Sequence, residues 1–147
     1  MANIARARPD DLDDLVAMNT EFSLSDGHQP DPDRARCGLL PLLTNDEHGY
    51  VLIARDPTTR HAVGYAAICL GWSIEIGGRE AVLDEIYTRD RGTGLGSELL
   101  RQVEDTCARL GVLRIFMETE APNHRARNLY LRHGYEQQES IWMSKEL

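Results

Sequence analysis

Residues 91–96 read Arg91-Gly92-Thr93-Gly94-Leu95-Gly96 and lie between a strand-like run and a run with helical spacing. Glycine at every second position frees the backbone for conformations that other residues rarely adopt, and it lets backbone N–H groups approach a ligand closely. The free N–H groups and the dipole at the start of a helix attract anions, and Arg91 adds a charged donor. This stretch therefore predicts a pyrophosphate-binding loop, with a glycine-rich turn that serves only geometry as the alternative.

Two common phosphate-binding motifs fit this loop poorly. A P-loop requires GxxxxGK[ST], and no lysine lies near these glycines. A dinucleotide-binding fingerprint requires GxGxxG near the start of a β-α-β unit, whereas the spacing here is GxGxG and follows four strand-like runs. The ligand class therefore has to come from the rest of the chain.

The strand-like and helix-like runs on either side of the loop are typical of an α+β domain. Pro9 and Pro32 fit the first positions of two early helices, a third helix follows the loop and ends at Gly111, and Asn123 caps a fourth. Strands are predicted at residues 4–8, 50–55, 62–70, 81–88, 112–119, 135–136 and 140–143. We therefore expect the order β-α-α-β-β-β-α-β-α-β-β in a single domain over residues 1–147, with a mixed sheet of about six to seven strands and about four helices.

The amino-acid composition indicates which kinds of ligand and partner are to be expected. The net charge of −8 disfavours nucleic-acid binding, which needs a basic surface, and suits a cationic partner such as an amine. The three cysteines and five histidines show no metal-ligand spacing, so no metal is expected. No apolar run is long enough for a membrane span and no signal peptide is recognised, so we expect a cytoplasmic protein without a membrane partner.

A second motif downstream carries a resemblance to a known family. The stretch Asn123-His124-Arg125-Ala126-Arg127-Asn128-Leu129-Tyr130, followed by His133-Gly134-Tyr135, is similar to the N-x-x-A-x-x-L-Y-x-x-x-G-[FY] segment of GNAT acetyltransferases. The Arg-x-x-Gly-x-Gly spacing of the loop resembles the other signature of that family. The resemblance covers nearly the whole chain, although residues 1–50 match only in element order, and residues 118–135 look like the histone-and-other-protein acetyltransferase branch.

This resemblance implies a GNAT-like, mostly antiparallel sheet, acetyl-CoA as co-substrate, an amine acceptor and a homodimer. The backbone of Ile86, Tyr87 and Thr88 would pair with the pantetheine arm, one of its N–H groups would polarise the acetyl carbonyl, and Asn123 would hydrogen-bond the arm. The connection from Thr88 to Arg91 is two residues shorter than in many members, so either Arg89 or Arg91 is expected to reach phosphate. The residues expected to hold the pyrophosphate, mainly by backbone N–H groups, are Arg91, Gly92, Thr93, Gly94, Leu95 and Gly96. Ser97 is also expected to contact the cofactor.

Acetyl transfer to an amine requires a base that accepts a proton from the amine and an acid beside the leaving thiolate. The resemblance assigns the acid to Tyr130, for which a buried core tyrosine is the alternative. Glu85 is favoured as the base, followed by Asp84 and Glu118, although a strand carboxylate is more often solvated or paired. Members of the family commonly carry a bulge in this strand, so alternation does not settle which of Asp84 and Glu85 faces the site.

The residues that would bind the acceptor amine are less clearly indicated than those that would bind acetyl-CoA. The resemblance points to the first two helices and the hairpin before the loop, where Glu21 and Glu75 would hold an ammonium group and Phe22 and Trp72 would pack an apolar stem. Each of these is also consistent with ordinary surface or core. We expect transfer to a primary amine of a small molecule, a polyamine or a lysine-like side chain, and the alternatives are a non-catalytic acyl-CoA-binding sensor on the same fold and a dinucleotide-binding enzyme.

Overall fold

A computed structural model describes residues 1–147. Five strands and four α-helices follow one another in the predicted order, up to the last helix. The strands are β1 (Asn3–Arg6), β2 (Gly49–Arg55), β3 (Ala62–Ser73), β4 (Gly78–Thr88) and β5 (Arg114–Phe116), and the helices are α1 (Leu12–Ser25), α2 (Pro32–Thr44), α3 (Leu95–Arg109) and α4 (His124–Arg132). A 3₁₀ turn at Pro9–Asp11 leads into α1.

The five strands form one mixed sheet in the order β1-β2-β3-β4-β5. The first four strands pair antiparallel with their sequence neighbours, and β4 pairs parallel with β5. The parallel pair is joined by a crossover through α3, as parallel strands require. The α+β class and the mixed, mostly antiparallel sheet are therefore confirmed.

The predicted strand count of six to seven is too high. Residues 135–136 and 140–143, which were predicted as the last two strands, adopt no regular secondary structure. Ile141, Trp142 and Met143 are 87%, 68% and 86% exposed. Strand-like composition is insufficient here because a strand exists only where a neighbour satisfies its backbone hydrogen bonds.

Helix boundaries follow local capping signals. The Asp31 carboxylate accepts a hydrogen bond from the Arg34 backbone N–H at 3.0 Å and caps α2. Pro41 lies inside α2, which continues past it to Thr44. The Asn123 side-chain oxygen accepts from the Ala126 backbone N–H at 3.1 Å, which confirms the predicted cap of α4.

Apolar side chains cover both faces of the sheet and form two cores. On one face, Leu99, Leu100 and Val103 of α3 are fully buried against Leu52 and Ile68. On the other face, residues of α1 and α2 pack against the alternate positions of the same strands: Leu15, Val16, Met18, Leu39 and Leu43 meet Val51, Ile53, Tyr65 and Ala67. Burying each large side chain contributes about 1.5–3 kcal/mol, so the two cores fix the sheet between two helical layers. No helix is long and apolar enough to cross a membrane.

Candidate functional site

A cleft opens where β4 and β5 separate. The two strands pair only over Glu80–Val82 and Arg114–Phe116, and β4 then continues to Thr88 without a neighbour on that side. Unpaired backbone N–H and C=O groups along such an edge are free to bind an extended ligand. The cleft has a volume of about 710 Å³, and its wall includes Ile86, Tyr87 and Thr88, whose backbone the resemblance assigns to the pantetheine arm.

The glycine loop closes one side of this cleft. Gly92 and Gly94 have φ angles of 77° and 82°, in the left-handed region that favours glycine, and Gly94 is the residue from which α3 begins. A Cβ atom at either position would meet nothing within 4 Å, so the backbone angle, and not crowding, explains the glycines. All of the predicted loop residues, Arg91 to Ser97, line the cleft, where the first N–H groups of α3 lack intrahelical partners.

The structure distinguishes the two arginines before the loop. The Arg89 guanidinium donates to both Glu21 carboxylate oxygens, at 2.8 Å from Nη2 to Oε1 and 3.0 Å from Nε to Oε2. It also donates to the Ala62 carbonyl at 2.6 Å, and Arg89 does not line the cleft. Arg91 does line the cleft and has no ion-pair or hydrogen-bond partner within the chain, so Arg91 is the arginine available to a phosphate.

Two further arginines in the cleft were missed by the sequence reasoning. Arg125 and Arg132 lie on α4 at a spacing that places both on one helical face with Leu129 between them, and all three line the cleft. Neither arginine has an ion-pair or hydrogen-bond partner in the chain. The spacing of i, i+4 and i+7 within the motif was the available signal, and it places two cations in the same cleft as the glycine loop.

Tyr130, the predicted acid, lies in the wall of the cleft. It is 8% exposed, its ring meets Tyr135 with 5.9 Å between centroids, and its hydroxyl has no hydrogen-bond partner in the chain. Burial and, secondarily, the charge of Asp26 raise the pKa of Tyr130 to about 12. The hydroxyl therefore stays protonated at neutral pH and is free to donate a hydrogen bond into the cleft.

A bulge in β4 decides where the strand carboxylates point. Ala67 of β3 pairs with Glu85 and Ile68 pairs with Leu83, so Asp84 is the extra residue between two successive pairs. In a regular strand Leu83 and Glu85 would share a face. The bulge sends Leu83 to the α3 face and Glu85 to the α1 face, and it leaves Asp84 exposed.

The Glu85 carboxylate is held by two neighbouring side chains. The Asn19 amide donates to Oε1 at 3.1 Å and to Oε2 at 3.0 Å, and the Tyr65 hydroxyl donates to Oε1 at 3.0 Å. Burial raises the pKa of Glu85, the two sets of hydrogen bonds oppose that rise, and the charge of Asp84 adds to it. Glu85 also lines the cleft, so a carboxylate with a raised pKa is available to a ligand bound there.

The other two base candidates also line the cleft. Asp84 is exposed as a residue, and burial of its carboxyl raises the pKa of that group. Glu118 is exposed and makes no hydrogen bond within the chain. Of the three carboxylates, Glu85 is the one whose orientation is fixed by the protein.

Of the four residues predicted to bind the acceptor, one lines the cleft and three do not. Phe22 lines the cleft and packs on Tyr87 with 5.9 Å between ring centroids. Glu21 does not line the cleft, and its carboxylate accepts hydrogen bonds from Arg89 and from the Tyr87 hydroxyl at 3.1 Å. Glu75 binds Arg114 at 3.2 Å near the far end of β4, and Trp72 is 75% exposed and also lies away from the cleft.

Ser97 and Asn123, both expected to contact the cofactor, line the cleft, but each also makes a hydrogen bond within the chain. The Ser97 hydroxyl lies 2.6 Å from His133 Nε2. The Asn123 oxygen caps α4, which leaves its amide N–H groups free to donate to a ligand.

A known protein family and solved structures are similar to this chain over most of its length. The model of the family described as "Acetyltransferase (GNAT) family" matches residues 12–135. An integron cassette protein from the mobile metagenome of Cole Harbour Salt Marsh is 29% identical, with a TM-score of 0.85 over 98% of this chain and 90% of that one. No curated protein sequence matches the chain.

Two more distant structures share the fold. A predicted acetyltransferase from Clostridium acetobutylicum, solved with acetyl-CoA, is 18% identical with a TM-score of 0.82 over 99% of this chain and 96% of that one. A ribosomal-protein-alanine N-acetyltransferase from Brucella melitensis biovar Abortus 2308 is 18% identical with a TM-score of 0.77 over 99% of this chain and 100% of that one.

Proposed function

Because this chain belongs to the acetyltransferase (GNAT) family, we propose that it transfers an acetyl group from acetyl-CoA to a primary amine by direct attack in a ternary complex. The acceptor class is a small amine, a polyamine or a lysine-like side chain. The observation that carries the proposal is that a single cleft contains the glycine loop, an unpaired strand edge, a fixed carboxylate and a free tyrosine hydroxyl.

The cleft residues fit acetyl-CoA in charge and in backbone geometry. Arg91, Arg125 and Arg132 supply cations in the cleft that the N-terminus of α3 also lines, which suits phosphate groups. The free edge of β4 offers N–H and C=O groups to the amides of an extended pantetheine arm. When bound, acetyl-CoA supplies an acetyl thioester, whose carbonyl carbon is the electrophile.

Glu85 has the role of the base. An amine with a pKa of about 10.4 is about one part in 2,500 neutral at pH 7, which corresponds to about 4.6 kcal/mol. Attack by the amine nitrogen forms the C–N bond and leaves an N–H proton to be removed, and the Glu85 carboxylate accepts it directly or through water. The raised pKa of Glu85 makes its carboxylate a better proton acceptor than an ordinary glutamate.

Tyr130 stabilises the sulfur as the C–S bond breaks. Its pKa of about 12 lies above that of a thiol, about 8.5, so complete proton transfer to the thiolate is uphill. A hydrogen bond from the hydroxyl to the sulfur stabilises the developing charge, and solvent returns the proton that completes the thiol. Glu85 then releases to solvent the proton that it took from the amine. The products are an N-acetyl amine and coenzyme A, and the protein returns to its starting protonation state.

A coenzyme A-release assay over a panel of amines tests the proposal. We expect release to depend on one class of amine, and on acetyl-CoA being present. Tight acetyl-CoA binding without release on any amine would support the acyl-CoA sensor instead. Protection from thermal melting by NAD(P) but not by acetyl-CoA would contradict both readings.

A further inference from the structure

Two side chains behind the cleft donate hydrogen bonds to Glu85, the carboxylate that the proposed reaction uses. Neither Asn19, from the middle of α1, nor Tyr65, from β3, lines the cleft. Resting on the proposed function, we infer that Asn19 and Tyr65 are positioning residues, which orient the Glu85 carboxylate and stabilise its charge so that one oxygen remains open to the acceptor amine.

The hydrogen bonds leave the two oxygens of Glu85 unequal. Oε1 accepts from both Asn19, at 3.1 Å, and Tyr65, at 3.0 Å, whereas Oε2 accepts only from Asn19, at 3.0 Å. A carboxylate oxygen has two lone-pair positions. Both positions on Oε1 are therefore used, and Oε2 keeps one free position, which we assign to the proton of the attacking amine.

The position of Asn19 on α1 is unusual for a polar residue. Leu15, Asn19 and Phe22 follow one another at i, i+4 and i+7, so they share the helix face that meets the sheet. Leu15 is fully buried in the core and Phe22 packs on Tyr87. A partly buried asparagine that faces the sheet costs free energy unless its polar atoms are paired, and both Glu85 oxygens accept from the Asn19 amide nitrogen.

No cation neutralises Glu85. The titratable groups that face it are Tyr65 and Cys69 of β3 and Asp84 of β4, none of them cationic. Farther along the same face, Glu21 and Arg89 are occupied with each other. Hydrogen bonds from Asn19 and Tyr65 are thus the interactions that offset the loss of hydration of this carboxylate.

Direct titration of Glu85 tests the inference without requiring an acceptor. The protein is labelled with ¹³C in glutamate side-chain carboxyls, and Glu85→Gln identifies the resonance. Removing a donor to a charged group raises the pKa of an acid, because the ionised form loses the stabilisation, and we expect Asn19→Leu and Tyr65→Phe each to raise the pKa of Glu85 by about one unit. Asn19→Gln, which keeps the amide, should raise it less.

The matched control is Asn128→Leu, because Asn128 is exposed on α4 and lies outside the cleft. The pKa of Glu85 should be unchanged in that variant. An unchanged pKa in folded Asn19→Leu and Tyr65→Phe would overturn the inference. Tyr65→Phe keeps its ring, so it provides the same test if Asn19→Leu does not fold.

Rate measurements then separate this inference from the proposed function. In the pH profile of kcat for coenzyme A release, the acidic limb should shift to higher pH as the pKa of Glu85 rises. On that limb, kcat at a given pH should fall about tenfold for each unit by which the pKa rises. The KM for acetyl-CoA should stay unchanged, since neither residue lines the cleft. A raised pKa of Glu85 with an unmoved rate profile would overturn Glu85 as the base, and not its positioning by Asn19 and Tyr65.

Discussion

At the scale of single residues, the cleft contains side chains that the rest of the protein leaves free. Arg91, Arg125 and Arg132 have no partner within the chain, and the hydroxyl of Tyr130 is likewise unbonded although the residue is 8% exposed. Elsewhere most arginines are committed, as Arg89 is to Glu21. Unsatisfied polar groups gathered in one cleft are typical of a ligand-binding site, because the ligand supplies the missing partners.

Replacing Tyr130 with phenylalanine tests its hydroxyl. The variant keeps the ring contact with Tyr135 but loses a hydrogen bond to developing charge, which contributes about 1.5–3 kcal/mol. We expect kcat for coenzyme A release to fall about 10- to 100-fold, while acetyl-CoA affinity measured by calorimetry changes little. An unchanged kcat would remove Tyr130 from the reaction.

Substitution of the cleft arginines tests the phosphate side. Arg125→Gln and Arg132→Gln should each weaken acetyl-CoA binding about two- to fivefold at low salt, the range for exposed ion pairs, and the effect should shrink as salt rises. Arg36→Gln is the control, since Arg36 is an exposed arginine of α2 that pairs with Asp13. Equal affinities for all three variants would show that the α4 arginines do not contact the ligand.

At the scale of elements, the junction of β4, the glycine loop and α3 organises the site. The separation of β4 from β5 after Val82 opens the strand edge, and the left-handed Gly94 turns the chain directly into α3. Strand edge and helix N-terminus thereby face the same space. This geometry needs glycine at specific places, because other L residues are strained at a φ of 82°.

Gly94→Asp should abolish acetyl-CoA binding, because it adds a negative charge where phosphate is expected and strains the backbone. Gly111→Asp is the matched control: Gly111 has a φ of 74°, a Cβ there meets nothing within 4 Å, and it lies outside the cleft. Calorimetric titration with acetyl-CoA should show a near-normal affinity for the Gly111 variant. Comparable affinity in both variants would contradict the placement of the phosphates at this loop.

At the scale of the whole molecule, the two cores are complete without the C-terminal segment. Both helical layers pack on residues between Ala7 and Tyr130, while residues 136–147 are exposed throughout. Exposed apolar side chains at Ile141, Trp142 and Met143 contribute nothing to burial within one chain. The stability of the monomer therefore resides in the sheet and its four helices.

Deleting residues 140–147 should change the free energy of unfolding by less than about 0.5 kcal/mol, as expected for surface positions without contacts. Urea denaturation at several protein concentrations measures this. A larger loss that grows with protein concentration would show instead that the segment is buried between copies of the chain.

Local signals in the sequence were sufficient for much of this protein. Features that depend on φ preferences and on neighbours at i+3 and i+4 can be recognised from consecutive residues. They include the glycine loop, the cap at Asn123, the segment ending at Tyr130 and the order of elements up to α4. The strands predicted after α4 failed because a strand depends on a partner, and composition does not say whether one is present.

The contacts that distinguish the candidate site residues from one another join residues far apart in the chain. Arg89 is withdrawn from the cleft by Glu21, which lies 68 residues earlier, and the bulge at Asp84 turns Glu85 towards Asn19, which lies 66 residues earlier. A one-residue change of register exchanges the faces of every following side chain. Consecutive residues were therefore enough to identify the loop and the candidate carboxylates. The packing of α1 on the sheet sets which carboxylate is held in place and which arginine remains free, because those contacts join residues far apart in the chain.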